Sequence, residues 1–575
     1  MAGENSRSNF LFGLTLTELA FILFFILLFF STLVIREKAK DIIQQKNLNG
    51  EIIENILNNK KINVDIIIVN KRIEQKNRFL FLIKKYSVKR LVEKVLFKAL
   101  TKFEKFLFIF FFKNFDFKKV NLSENKIKKL YVNPIESNLG TKHEYSDEDI
   151  KRIKDRNLDI ILRLEGGILK GEILKTPKNG VISFHHADND LYRGLPPGFW
   201  EVFYRNPTTG FIIQKLNEDL DGGDVLFKGH ILTKFFYYYN QQFVYKQSAK
   251  YINMVFEKFS NLENLNYLKK KDYNNKIFKD SNFFELLKYV FSTYSFIFLK
   301  IFRKLTFNRE IWSVAFSKGK FDKKKLEKFN IIKNYKNRFI ADPFLIKSKN
   351  KNYVFVEDYS FKNKKGSISC YELDKNKEKF LGKVIEEDFH LSFPFLFEYK
   401  NKMYICPETS EKNEIRIYEC VKFPIKWKYS RTLIKNIYAV DTILFQKNSI
   451  WWLLTNTANN KIDSLSELSI FYSDEGPLTN NWKPHKKNPI IVDANIARNG
   501  GLILDNNSIY RVNQKVGFNI YGQEFDINII KNINEDNFVE EKIDNIKPSF
   551  FKNIHGTHHM SYNEDYCVID FVRRS

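Results

Sequence analysis

The chain has 575 residues, 44% hydrophobic and 28% charged, with a formal net charge of +27. That length exceeds one ordinary core and that composition excludes an intrinsically disordered protein, so two or three folded domains are expected. The basic residues are scattered among Asn, Ile and Phe rather than gathered into runs with interleaved aromatics, so no specific nucleic-acid partner is expected and attraction to anionic lipid is the plainer meaning of the charge. The four cysteines, Cys370, Cys406, Cys420 and Cys567, form no C-x-x-C pair, which speaks against a zinc site and a disulfide framework and fits a reducing compartment.

In chain order, the first predicted element is Leu19 to Ile35, an uncharged run long enough with its flanks to cross a bilayer as a helix. Arg7 precedes it, while Arg36, Lys38, Lys40 and Lys46 follow. The positive-inside rule then predicts a single-pass membrane protein with the bulk of the chain cytoplasmic. Phe106 to Phe112 is apolar but too short to span, and Phe283 to Phe307 mixes aromatics with lysines, as an interdomain or interfacial helix would. The expected domains are a membrane anchor over 1–40, an α/β domain over 41–275, a linker or interfacial helix over 276–310, and an all-β domain over 311–575.

Val64 to Val69, Leu158 to Leu164 and Gly180 to Phe184 are continuous apolar runs of strand length separated by helical stretches. This pattern predicts a Rossmann-like parallel sheet wrapped by helices, with its site at the carboxyl ends of the strands. His185 and His186 stand at such an end.

Around them the sequence reads Asp159-Ile-Ile-Leu, Glu165-Gly166-Gly167, Gly180-Val-Ile-Ser183-Phe-His185, Arg193-Gly194, Pro197-Gly-Phe-Trp200, Thr209-Gly210 and Leu220-Asp221-Gly-Gly-Asp-Val-Leu226. In order and spacing this resembles the formyltransferase family over roughly 70 residues. The resemblance implies formyltetrahydrofolate as donor and an amine as acceptor. The amine nitrogen attacks the formyl carbon, the oxyanion needs aimed donors, and the amine proton must pass to the folate nitrogen through a group titrating near neutrality. The family uses Asn, His and Asp for these tasks. By position His185 matches the histidine, Asp221 the aspartate, and Ser183 stands where the asparagine would be. His186, Arg193, Trp200, Glu165 and Gly166 fall in the implied substrate-binding set, with Arg193 offering a fork to a phosphate or carboxylate. His186 replaces a family proline, and Ala187-Asp-Asn-Asp replaces Ser-Leu-Leu-Pro. A strand-end histidine with an ordinary hydrogen bond and a turn aspartate are the bland alternatives for His185 and Asp221.

From about Trp312 onward, short aromatic and β-branched strands repeat. Special residues near Asp342, Pro394, Asp441, Gly500 and Gly556 recur at the spacing of four-stranded blades, which predicts a five-bladed β-propeller. This half resembles the propeller domain at the N-terminus of plant glucosamine inositolphosphorylceramide transferases and, more distantly, the arabinanase-like glycosidase propellers. In the latter an Ala-Asp-Pro motif supplies a catalytic acid, and Ala341-Asp342-Pro343 copies it. The second-blade position, Phe393-Pro394, has no acid. Asp342 and Asp441 are the expected sugar-binding acids, with Glu357, Asp358 and Glu408 as possible partners. His555, His558 and His559 could face the channel. The combined expectation is formyl transfer to the amine of a nucleotide- or lipid-linked amino sugar in cell-surface glycan synthesis. Its rivals are a non-catalytic glycan-binding scaffold and a glycosyltransferase or glycosidase module.

Overall fold

The computed structural model describes residues 52–70, 86–112, 127–136, 142–164, 167–218, 223–260, 276–306, 309–458, 463–505 and 508–574. Two compact units result. One comprises the chain up to Arg205 with Thr209–Gly229 and Lys234–Phe298, and the other is mainly Leu299–Ser575.

The second unit is five sheets in chain order. The first holds Arg338–Ser348, Lys351–Ser360, Lys365–Asp374 and Lys377–Ile385, and the second holds Ser392–Tyr399, Lys402–Glu408, Glu414–Lys422 and Lys426–Lys435. The third starts at Tyr438–Lys447 and the fourth at Asn499–Asp505. The fifth is assembled from both ends of the unit: Glu310–Lys318 pairs antiparallel with Tyr566–Arg574 over nine consecutive positions, Glu310↔Arg574 to Lys318↔Tyr566. The first strand of each sheet neighbours the first strand of the next, and the fifth sheet returns to the first. This is a propeller-like ring. Each sheet is covered on both faces, so its strands read as continuous apolar runs rather than alternating ones. Trp451, Trp452, Leu453 and Leu454 are consecutive and all buried.

The five special positions fall one per sheet, and the backbone explains them. Each first strand is irregular there, with register shifts between Ala341 and Phe344, Ser392 and Phe395, Val440 and Ile443, Asn499 and Gly501, and Ile554 and Gly556. Such bulges re-aim side chains. In three of them a residue with a side chain takes a left-handed backbone: Asp342 (φ 51°), Phe393 (φ 45°) and Asp441 (φ 50°). That conformation costs roughly 1–2 kcal/mol per residue and is typical of places where function outweighs local comfort. At Gly500 the constraint is space, because a Cβ there would lie 2.2 Å from the His558 carbonyl oxygen. Gly500→Ala is therefore expected to lower stability by about 1–3 kcal/mol in a denaturant titration.

In the first unit, helices Val88–Phe111, Tyr237–Ala249 and Phe283–Leu305 share a buried carboxyl. Glu104 is fully buried and accepts hydrogen bonds from Tyr289 Oη (2.6 Å), Tyr294 Oη (3.3 Å) and the Tyr238 backbone N–H (2.7 Å). Burial raises its pKa to about 7, against the pull of these donors. Folded protein thus holds a proton that unfolded chain has released between pH 4.5 and 7, so this contribution is full at low pH and lost as pH rises through 7. Glu104→Gln is expected to flatten that dependence, worth about 3 kcal/mol across the window, in unfolding curves measured at pH 5 and pH 8.

Two parts of the expected fold class are corrected. Among the described residues no helix is long and apolar enough to cross a membrane. Phe283–Leu305 has the length but carries Glu285, Lys288, Lys300 and Arg303, and Leu19 to Ile35 lies outside the described residues. The single-pass placement with a cytoplasmic bulk is withdrawn accordingly. Nor do the described strands of the first unit form one Rossmann-like parallel sheet. They make separate small sheets, and strand outweighs helix in the described chain. The sheet holding His185 runs Asp224–Leu232, Thr208–Lys215, Val181–His185, Ile161–Arg163. It is parallel between its last two strands but antiparallel between Val181–His185 and Thr208–Lys215. An apolar run dictates a buried strand, not its direction or its neighbour.

Candidate functional site

In the first unit, Ser183 and His185 are two residues apart on strand Val181–His185 and so point to one face. Arg163 pairs with Ser183, and His185 extends past that partner strand's end. His185 Nε2 lies 3.4 Å from the Tyr192 carbonyl oxygen. Ser183 is buried, with its hydroxyl 3.4 Å from the Phe184 carbonyl. Asp221, Glu165 and Gly166 lie outside the described residues. Gly223, the first described residue after Asp221, abuts Lys215 and Gln214, and Gln214 is the register partner of Ser183.

The expected substrate-binding residues of this unit do not all converge. His186 points to the opposite face from Ser183 and His185. Its Nε2 bonds Ser248 Oγ at 3.1 Å, and its ring meets Phe184 and Tyr245. Desolvation, then His185, pushes its pKa down to about 3, so it is a neutral packing group. Trp200 is buried, donates from its indole to the Leu195 carbonyl at 3.2 Å and packs on Phe199 and Phe278. Arg193 sits in a short strand paired with Ile277–Phe278. The Asp188-Asn189-Asp190 turn is clipped by Lys228, whose Nζ lies 2.6 Å from Asp188 Oδ1 and 2.7 Å from Asp190 Oδ2. Sequence reading missed Lys228, which stands alone on its strand with no motif to mark it.

In the second unit the bulges aim Asp342 and Asp441 into one cavity of about 190 Å³, whose other polar lining includes Glu357, His390, Glu408, Arg498 and His558, with Trp312, Phe339 and Tyr521 as aromatic walls. His558 is held between two carboxylates, Nε2 at 3.1 Å from Asp342 Oδ1 and Nδ1 at 2.8 Å from Asp570 Oδ2. Burial opposes its charge, but Asp570 and Asp342 prevail and lift its pKa to about 10. Asp342 correspondingly stays below the usual carboxylate range despite its burial. Among the described residues Asp342, His558 and Asp570 are the group whose ligand atoms lie close enough to hold a metal ion. With both imidazole nitrogens on carboxylates, they form an imidazolium bridge.

Arg498 Nε lies 2.5 Å from Asp441 Oδ2, and its fork reaches Glu408 Oε2 at 3.9 Å. Gln514 Nε2 also donates to Asp441 Oδ2 at 3.0 Å. Burial raises Asp441 to about 7, with Arg498 pulling the other way and Glu408 and Asp342 adding repulsion. Burial also raises Glu408 and, with Asp342, carries Glu357 well above the carboxylate range. Asp358 is not part of the cavity lining. It is bound by Arg338 (Nε to Oδ1, 2.7 Å) and Ser369 (2.6 Å). The three histidines do not converge: His559 packs on the rings of Phe344 and Phe393, and His555 Nε2 lies 3.6 Å from Glu310. Sequence reading missed Arg498, Tyr521, Trp312 and Asp570. Arg498 stands two residues before the fourth repeat position, Gly500, and could have been found there.

A family model described as "Glucosamine inositolphosphorylceramide transferase 1, N-terminal" matches residues 329–560. Glucosamine inositolphosphorylceramide transferase 1 of Oryza sativa subsp. japonica is 34% identical over 214 residues, which are 36% of this chain and 28% of that protein. The chain therefore spans little more than a quarter of the length of these curated relatives. Methionyl-tRNA formyltransferase of Ehrlichia ruminantium (strain Welgevonden) is 31% identical over 123 residues, 20% of this chain and 39% of that enzyme. Among solved structures, Zg3597, a family 117 glycoside hydrolase of Zobellia galactanivorans, aligns over 46% of this chain and 90% of its own, at 12% identity and a TM-score of 0.31. The chain thus has similarity to a named transferase over its propeller-like half and weaker similarity to formyltransferases over part of its length.

Proposed function

We propose that this protein moves a formyl group from formyltetrahydrofolate to an amino group carried by a sugar. The observation that carries the reading is the strand-end pair Ser183 and His185, on one face, in a chain with 123 residues of similarity to a methionyl-tRNA formyltransferase. In this reading the donor folate supplies the formyl carbon. The amine nitrogen bonds that carbon, the carbon–folate nitrogen bond breaks, and the folate nitrogen takes up the proton the amine gives away. His185 receives and passes that proton, Ser183 donates to the oxyanion, and Asp221 supports the charged imidazole. The plant relatives' name supports an amino sugar as acceptor, and nucleotide-linked or lipid-linked forms are the first to try.

A second reading, sugar binding without chemistry, has one observation in its favour. Ser183 is buried and its hydroxyl approaches its own strand's Phe184 carbonyl. It offers the oxyanion one short-reaching donor where the family has an amide. Titrating the full chain with a non-transferable formyltetrahydrofolate analogue separates the two. Saturable binding, competed by formyltetrahydrofolate, is expected for a transferase; a folded chain that ignores the analogue at millimolar concentration belongs to the second reading.

A further inference from the structure

We propose that the axial cavity of the propeller-like unit selects a sugar by its protonated amine, seating the ammonium group against Glu357 and Glu408. This deepens the amino-sugar reading above and rests on it for the sugar, whereas the charge preference comes from the cavity itself.

Acids outnumber cations. Asp342, Glu357, Glu408 and Asp441 line the cavity, against Arg498 and His558. The two cations are already committed, His558 to Asp342 and Asp570, and Arg498 to Asp441. Glu408 receives Ser410 Oγ at 2.8 Å and meets Arg498 only at 3.9 Å. Glu357 is the decisive group. It is 8% exposed, faces the cavity, and accepts no hydrogen bond from any described residue. Its nearest ion-pair atom is His390 Nε2, at 3.6 Å, beyond hydrogen-bonding distance. The other nitrogen of that ring, Nδ1, accepts from the Gly366 backbone N–H at 2.9 Å.

A buried carboxyl that accepts no hydrogen bond costs free energy that a donor of the right kind can remove. A primary ammonium brings three donors and a compact charge, and Glu357 and Glu408 line the same cavity. Trp312, Phe339 and Tyr521 add aromatic wall to the same cavity. Burial holds Glu357 and Glu408 toward their protonated forms. A cation between them favours ionisation, so binding must expel protons. A formylated or acetylated amine has no charge and loses this advantage. The cavity would then distinguish the acceptor of formyl transfer from its product.

The test is calorimetric titration of the full chain at pH 7 with glucosamine, N-formylglucosamine, N-acetylglucosamine and glucose, in two buffers of different ionisation enthalpy. Glucosamine is expected to bind at least tenfold more tightly than the other three, with proton release. Glu357→Gln and Glu408→Gln are each expected to reduce that preference several-fold. Equal affinity for glucose and glucosamine, no glucosamine binding, or occupation by calcium ions that glucosamine cannot displace would each overturn the inference. The folate-analogue titration reports separately. Folate binding without amine preference defeats this inference alone, and amine preference without folate binding defeats formyl transfer alone.

Discussion

Asp570→Ala is expected to lower folding stability by about 3–5 kcal/mol, the cost of breaking a buried ion pair from one side. Asp570 is fully buried. Its Oδ1 accepts the backbone N–H groups of His558 and His559, each at 3.0 Å, and its Oδ2 accepts that of Asp342 at 3.3 Å while facing His558 Nδ1. Truncation leaves these donors without an acceptor and a buried imidazolium with Asp342 alone. Asp570→Asn keeps an oxygen for the backbone donors and loses only charge, so it should fall between parent and alanine variant. The pH dependence identifies the mechanism. The folded-state pKa of His558 is raised to about 10, so its contribution is fully present below about 6.5 and fades as pH rises through 10. The gap between parent and Asp570→Ala in urea unfolding should therefore be wide at pH 6 and narrow above pH 10. A gap independent of pH would mean that packing, rather than the ion pair, holds the bulge.

His185→Ala is expected to slow formyl transfer 10²- to 10⁴-fold, the usual worth of a positioned general base. The side chain is half-buried at a strand end, with Nε2 3.4 Å from the Tyr192 carbonyl, and its removal is expected to leave the chain folded. His186→Ala provides the contrast. It removes a ring packed against Phe184 and Tyr245 and should weaken stability more than turnover per folded molecule. Single-turnover rates alongside thermal unfolding of both variants separate these roles. Equal effects of the two substitutions on rate would remove His185 from the chemistry.

The propeller-like half was more legible than the first unit. Its repeat is written in residues that answer to local backbone demands: Asp342 and Asp441 at left-handed bulges, and Gly500 against a carbonyl. Such demands recur with each sheet and so leave a period in the sequence. The displacement of the second-sheet position from Pro394 to Phe393 shows the limit, since a phenylalanine gives no sign of a positive φ. Arg498 and Tyr521 reach the cavity, and Asp570 reaches His558 behind it, from three different strands or their margins, and long-range convergence leaves no spacing to read. In the first unit, composition located the strands Ile66–Asn70, Ile161–Arg163 and Val181–His185 to within a few residues. The last two pair in parallel, but Ile66–Asn70 lies in a separate two-stranded sheet and Val181–His185 takes an antiparallel neighbour on its other edge, choices that depend on partners elsewhere in the chain. His186 groups with the substrate-binding residues in the sequence because adjacency to His185 hides the alternation of strand faces.

The most direct measurement is product analysis. The full chain is incubated with formyltetrahydrofolate and glucosamine, and with nucleotide- and lipid-linked glucosamine in parallel. N-formyl sugar and tetrahydrofolate are then quantified by mass spectrometry, with the His185→Ala chain as control. The account predicts that the two products appear in equal amounts, with the parent protein only. Folded, folate-binding protein that yields neither product with any of these amines would contradict it.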